Sequence, residues 1–176
     1  MNIGLLRGTV ALEPHNPEWK IIADQTIQSL KQILGDTASD IQHIGSTAIR
    51  NIDAKPIIDL VIGVSDFSEL LAKNEILAEA GFLYRGQDHP DQHLYICGDE
   101  QFVTHHIHAV IYRAESWNNY VNMRDYLNTH PAEAQAYCKL KQMLAKQYAN
   151  DRKTYTAMKA DMIRQILTQA DHWRNP

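Results

Sequence analysis

Apolar positions recur along the chain with two different periods, and the change of period marks the elements. From Trp19 to Leu34 they fall at Trp19, Ile22, Ala23, Ile27, Leu30, Ile33 and Leu34, the spacing of one helix face. Pro17 suits the first turn, Asn16 is placed to cap it, and Gly35 to stop it. Before it, "VALEPHNPEW" reads as an extended arm, because Pro14 and Pro17 oppose an earlier helix. "DIQHI" is a short strand, and "PIIDLVIGV" is a β-branched run of buried-strand type. A helix is predicted over 68–80, ending at Gly81. Three strands follow, "FLYRG", "QHLYIC" and "QFVTHHIHAVIY", with "GDE" as the turn between the last two. After Tyr112 the pattern is helical throughout. Three helices are predicted over 114–176, with breaks near 130 and 150 and with Pro131 and Asp151 at two of the starts. The reading is α+β: a small mixed sheet with flanking helices over 1–113, then a C-terminal helical extension over 114–176 packed on it as one unit.

The strand period also sorts the polar side chains. Along "PIIDLVIGV", Ile57, Asp59, Val61 and Gly63 share one face. Asp59 is therefore an ionisable group in an apolar strand, where a carboxylate must be paired, hydrogen-bonded or metal-bound. Pairing with Arg50, Lys55 or Arg124 and metal binding are both open. Along "QFVTHHIHAVIY", Phe102, Thr104, His106, His108, Val110 and Tyr112 share a face, while His105 takes the side of the apolar series. His106 and His108 then project side by side, about 6–7 Å apart along the strand. Such a pair suits a divalent metal completed by a carboxylate, or a phosphate, or simply a solvent-facing strand. His43, at the end of its own strand, is a candidate to join them. Gly45-Ser46-Thr47 follows that strand. Backbone amides and hydroxyls at such a turn bind anions, although most glycine-serine turns are structural. Arg50 and Lys55 lie close behind in sequence.

Composition narrows the classes. The chain has 176 residues, is 44% hydrophobic and can bury a sizeable core. Its net charge of −4 argues against a protein built around a nucleic-acid backbone. Cys97 and Cys138 form no CxxC and read as free thiols of a cytoplasmic protein. The stretch "MNIGLLRGTVALEP" has no basic region followed by a long apolar core, so no signal peptide is expected, and with no run of 18 apolar residues no membrane association is expected either. The basic residues Lys139, Lys141, Lys146, Arg152, Lys153, Lys159 and Arg164 are interleaved with Tyr137, Tyr148 and Tyr155. They read as solvated helix faces, or as a positive wall against a ligand held by the sheet.

Several motifs in order resemble the GrpB family, nearly end to end. "VALEPHNPEW" is similar to that family's Val-x-Leu-x-Pro-Tyr-Asp-Pro-x-Trp opening. "HIGSTAIRNIDAKPIIDLVIGV" resembles its His-Ile-Gly-Ser-Thr, Ala-Lys-Pro and Ile-Asp-Leu signature. "THHIHAV" and the helical "RDYLNTHPAEAQAYCKLKQMLA" and "DRKTYTAMK" match its later segments. The resemblance implies a nucleotidyltransferase-like fold. A GrpB-like domain is also fused to dephospho-CoA kinase in some bacteria, which implies an association with CoA synthesis by name only. This chain has no Walker-type P-loop.

In the nucleotidyltransferase pattern, Gly-Ser opens a helix and two carboxylates on the next strand hold two Mg²⁺. Gly45-Ser46 and Asp59 match, but Val61 stands at the second carboxylate position. The chain also has Ile49-Arg50-Asn51 where the family commonly has Val-Pro-Gly, an altered loop at which Asn51 tolerates positive φ. The resemblance implies a nucleotide or other phosphate-bearing small molecule held by Gly45, Ser46, Thr47, Arg50 and Lys55. It further implies a divalent metal (Mg, Mn or Zn) on Asp59, His106, His108 and His43, and group transfer with Asp59 as the catalytic residue. Two alternatives stand beside it: a non-catalytic nucleotide-binding or accessory module, and a metal-dependent hydrolase with a two-histidine, one-aspartate site.

Overall fold

The computed structural model describes residues 3–175; residues 1, 2 and 176, at the outer ends of the two expected segments, lie outside them. Strand β1 (Leu5–Leu6) leads into the proline-containing arm, which is extended as its sequence predicts and is tied down by a bridge from Glu13 to Ala54. Helix α1 (Glu18–Leu34) starts where Asn16 Oδ1 accepts from the Glu18 amide at 3.0 Å. It ends at Gly35, whose φ of 53° only glycine adopts freely. Strands β2 (Ala38–Ile44) and β3 (Ile58–Val64) flank a loop that holds a single 3₁₀ turn at Ser46–Ala48.

The helix predicted over 68–80 is two short ones, α2 (Phe67–Leu71) and α3 (Asn74–Glu79). Asp66 caps the first. The second opens where Lys73 bonds the Ile33 carbonyl at the end of α1. Strands β4 (Leu83–His89), β5 (Gln92–Gly98) and β6 (Phe102–Ile111) follow, and then α4 (Glu115–Thr129) and α5 (Pro131–Gln147). The third C-terminal helix is also divided, into α6 (Arg152–Met158) and α7 (Ala160–Arg174), with Lys159 at the break. That break lays the Lys159 ammonium over the Tyr155 ring, 4.4 Å from its centre.

The sheet runs β2-β3-β6-β5-β4, with β1 antiparallel to the start of β6. Only β3 and β6 are parallel; the other pairs are antiparallel, so the sheet is mixed, as expected. Helices cover both faces. On one, α1 to α3 bury Trp19, Leu30, Leu34, Leu70 and Leu77 against Leu60, Ile62, Tyr95 and Ile107. On the other, Trp117 of α4 packs on Ile44, Val61 and Val110, and α5 and α7 add a second layer around Ile49, Ile52, Tyr126, Tyr137 and Ile166. Gly63 permits that approach, since a Cβ there would stand 2.7 Å from Tyr112 and 2.9 Å from Trp117. No helix among the described residues is long and apolar enough to cross a membrane.

Candidate functional site

The central parallel pair sets the register of the site. Asp59 lies opposite His106, and Val61 opposite His108, all facing α4 to α7. Asp59 accepts from His106 Nδ1 at 3.1 Å, and His108 Nε2 stands 4.0 Å away. Gly45 lies against Asp59 from the end of β2. Its φ of 69° and ψ of −171° belong to the glycine-only region, and a Cβ there would stand 2.7 Å from the Asp59 Cβ. The Gly45-Ser46 turn is therefore shaped by close approach to the carboxylate. It is a three-residue 3₁₀ turn, too short for a helix macrodipole to add to its backbone amides.

A cavity of about 380 Å³ opens over Asp59, a size that takes a small-molecule ligand. Of the sequence candidates, Gly45, Ser46, Lys55, Asp59, His106 and His108 line it. Thr47, Arg50 and His43 do not. Ile44 is the β2 residue paired with Asp59, whereas His43 pairs with Leu60 and so leaves the opposite face. There His43 Nε2 meets Thr47 Oγ1 at 2.9 Å, and burial lowers its pKa to about 4. Arg50 is exposed beside Asn51, which adopts the positive φ anticipated for it (60°); Asn128 Oδ1 accepts from the Arg50 amide.

The remaining wall comes from the C-terminal helices. Lys141 and Tyr137 (α5), Arg152 and Tyr155 (α6) and Lys159 line the cavity, whereas Lys139, Lys146, Lys153 and Arg164 do not. Arg124 also lines it but is paired with Asp125 at 2.7 Å. Asp59 is the one acidic residue lining the cavity. Among the described residues, Lys55, Lys141, Arg152 and Lys159 have no carboxylate within 4.0 Å.

Tyrosine rings and a carbonyl hold the three lysines instead, and His106 the arginine. Lys55 and Lys159 approach the Tyr155 ring at 5.7 and 4.4 Å. Lys141 lies 4.8 Å from the Tyr137 ring and donates to the Asp53 carbonyl at 2.5 Å. Burial, reinforced by the charges of Arg152 and Lys159, lowers Lys55 to about 7. Burial takes Lys141 to about 7 and Lys159 to about 8. Burial pushes the Asp59 carboxyl up, but the hydrogen bond from His106 and the positive groups around it prevail and bring it to about 2.

Arg152 fixes the protonation pattern of His106. A guanidinium only donates, so His106 Nε2, 3.0 Å from it, accepts, and Nδ1 carries the proton given to Asp59. His108 is different. Its Nδ1 is buried without a hydrogen-bond partner, and its ring lies 5.0 Å from that of Tyr120, whose hydroxyl donates to Gln92. That buried nitrogen is left unpaired.

The divalent metal implied by the fold can be tested against these residues. Asp59 lacks a carboxylate partner, since the next position on its face of β3 is Val61, buried against Ile44, Val110 and Trp117. Both His106 nitrogens are engaged, one of them by a cation. Among the described residues no three His, Cys, Asp or Glu side chains converge as a metal-binding group. In this arrangement the site does not fit a divalent ion. The sequence did contain a signal for the cationic wall: Arg152, Tyr155 and Lys159, and Tyr137 and Lys141, recur at helical spacing.

Comparison with known proteins places these features in a lineage. A family model described as "GrpB protein" matches residues 9–169. The chain is similar to the glutamate-rich protein GrpB of Alkalihalophilus pseudofirmus, 36% identical over 95% of this chain and 99% of the relative. It also matches a dephospho-CoA kinase of Mycolicibacterium paratuberculosis, 33% identical over 44% of this chain but only 20% of the kinase. The crystal structure of the conserved protein GrpB from Enterococcus faecalis superposes with a TM-score of 0.86 at 28% identity, covering 93% of this chain and 99% of that one. The Cid1 poly(U) polymerase superposes with a TM-score of 0.51 at 15% identity, over 77% of this chain and 43% of the polymerase. That likeness extends to the fold alone, which is nucleotidyltransferase-like.

Proposed function

The chain belongs to the GrpB family, and from that premise we propose that its central cavity binds a phosphate-bearing small molecule, a nucleotide being the class that suits it best. The observation that carries this reading is the charge imbalance around Asp59. Lys55, Lys141, Arg152 and Lys159 surround one carboxylate and have no acid of their own; tyrosine rings brace the three lysines, and His106 holds the arginine. Buried cations that repel one another are stabilised by an anionic ligand, and phosphate supplies several charges at once. The apolar part of the wall, Ile49, Met123 and Ile163 with Tyr120, suits the uncharged part of such a ligand. His108, whose ring lines the cavity beside Asp59, is the group to orient it.

Binding is favoured over nucleotidyl transfer by Val61, which stands where a second carboxylate would be needed. A site of action in the cytoplasm accompanies this reading, supported by the free thiols of Cys97 and Cys138. The reading is tested by thermal shift and calorimetry with nucleoside mono-, di- and triphosphates beside their unphosphorylated nucleosides. Phosphate-dependent stabilisation of the wild type, reduced at least tenfold in affinity by Lys159→Gln, is the expected result. Equal binding of nucleoside and nucleotide would remove the phosphate from the reading.

A further inference from the structure

Resting on the phosphate reading above, we propose that the cavity takes its ligand as the free polyphosphate anion rather than as a magnesium complex, with Arg152, Lys55 and Lys159 supplying the charge that Mg²⁺ supplies elsewhere. Three observations converge. Asp59 is the one acid lining the cavity, and the next residue on that face of β3, Val61, is buried against Ile44, Val110 and Trp117, so there is no carboxylate pair to share a metal. The Asp59 carboxylate is already committed to His106, which in turn is held by the Arg152 guanidinium on its other nitrogen. The row Asp59, His106, Arg152 thus ends in a fixed positive charge pointing at the cavity, where a divalent ion would be repelled.

The bracing of the cations points the same way. Had Lys55, Lys141 and Lys159 been paired with carboxylates, their charge would be spent before a ligand arrived. Held instead by the rings of Tyr155 and Tyr137, they stand in fixed positions with no acid to neutralise them, and an entering anion draws them to full charge. Such a wall is complementary to an anion with several charges close together. A ligand whose phosphates are already neutralised by Mg²⁺ leaves the lysines and Arg152 repelling one another.

The probe is inorganic pyrophosphate, titrated calorimetrically into the full chain in EDTA and again in excess Mg²⁺. The expected result is binding in EDTA, weakened about tenfold or more by Mg²⁺ as the metal competes for the anion. Arg152→Ala is expected to lose about tenfold in EDTA, with Lys159→Gln as a second variant that leaves the Asp59–His106 pair untouched. Arg152→Ala also frees His106 Nε2, so Zn²⁺ binding is expected to rise above that of the wild type. Binding of pyrophosphate only when Mg²⁺ is present would overturn the inference while leaving the phosphate reading intact. Absence of binding under both conditions would overturn the phosphate reading and the inference with it.

Discussion

The two faces of the central sheet use the same residue type in opposite ways. His105 and His106 are neighbours on β6, yet the strand turns them to opposite sides. On the side of α1, His105 is sealed between Thr26 at 3.2 Å and Thr104 at 2.9 Å, and burial lowers its pKa to about 4. His43 shares that face and that fate. On the side of α4 to α7, His106 and His108 look into a cavity beside a carboxylate and several unneutralised cations. One face spends its polar groups on internal partners; the other gathers several cations without carboxylate partners around one aspartate. What covers a face decides whether a histidine there is sealed in or opens on a cavity.

Three perturbations would break or sharpen this contrast. The largest effect belongs to Gly45→Ala, which forces a Cβ into Asp59 and a residue into a glycine-only backbone region. A loss of roughly 3 kcal/mol of stability is expected in urea unfolding, together with loss of ligand binding, because the site and the loop are one piece. A variant that kept wild-type stability would mean that the loop yields without strain.

Next is the crossed pair His105→Ala and His106→Ala. The first is expected to cost roughly 2 kcal/mol of stability and little affinity. The second is expected to cost under about 1 kcal/mol of stability and roughly tenfold in pyrophosphate affinity, since it releases Arg152. Equal losses from both would erase the distinction between the faces.

The smallest effect per step is that of pH, and it acts in separate windows. His43 and His105 are held neutral, with folded values of about 4 against 6.5, so the unfolded chain binds more protons between these limits. Their contribution to stability is present above pH 6.5 and is lost as pH falls toward 4. Lys55, Lys141 and Lys159 titrate near 7 to 8 in the folded chain, far below 10.5. An anion restores their protons, so affinity is expected to fall as pH rises above 7, by roughly tenfold per unit for each proton taken up. Affinity measured between pH 6.5 and 9 checks this; a flat profile would show that these lysines are not what holds the ligand.

Much of this was legible in the chain itself. The 3.6-residue period of α1, its Asn16 and Gly35 boundaries, and the two-residue alternation of β3 and β6 fix Asp59, His106 and His108 on common faces. These are local properties, set by backbone geometry and by which side chains avoid water. The family was legible for the same reason, as motifs kept in order along the chain. The tertiary structure alone decided the rest. His43 stands close to Gly45 in sequence, but the pairing of β2 with β3 sends it to the opposite face, and no local pattern states a register. Arg152 lies 46 positions from His106 and meets it only because α6 folds back over the sheet. The helical spacing of Arg152, Tyr155 and Lys159 marked a face without saying what it faces. A sequence determines which side chains travel together on an element. Which element lies opposite depends on the packing of all the others, and here that packing turned an ordinary run of lysines and tyrosines into the wall of the cavity over Asp59.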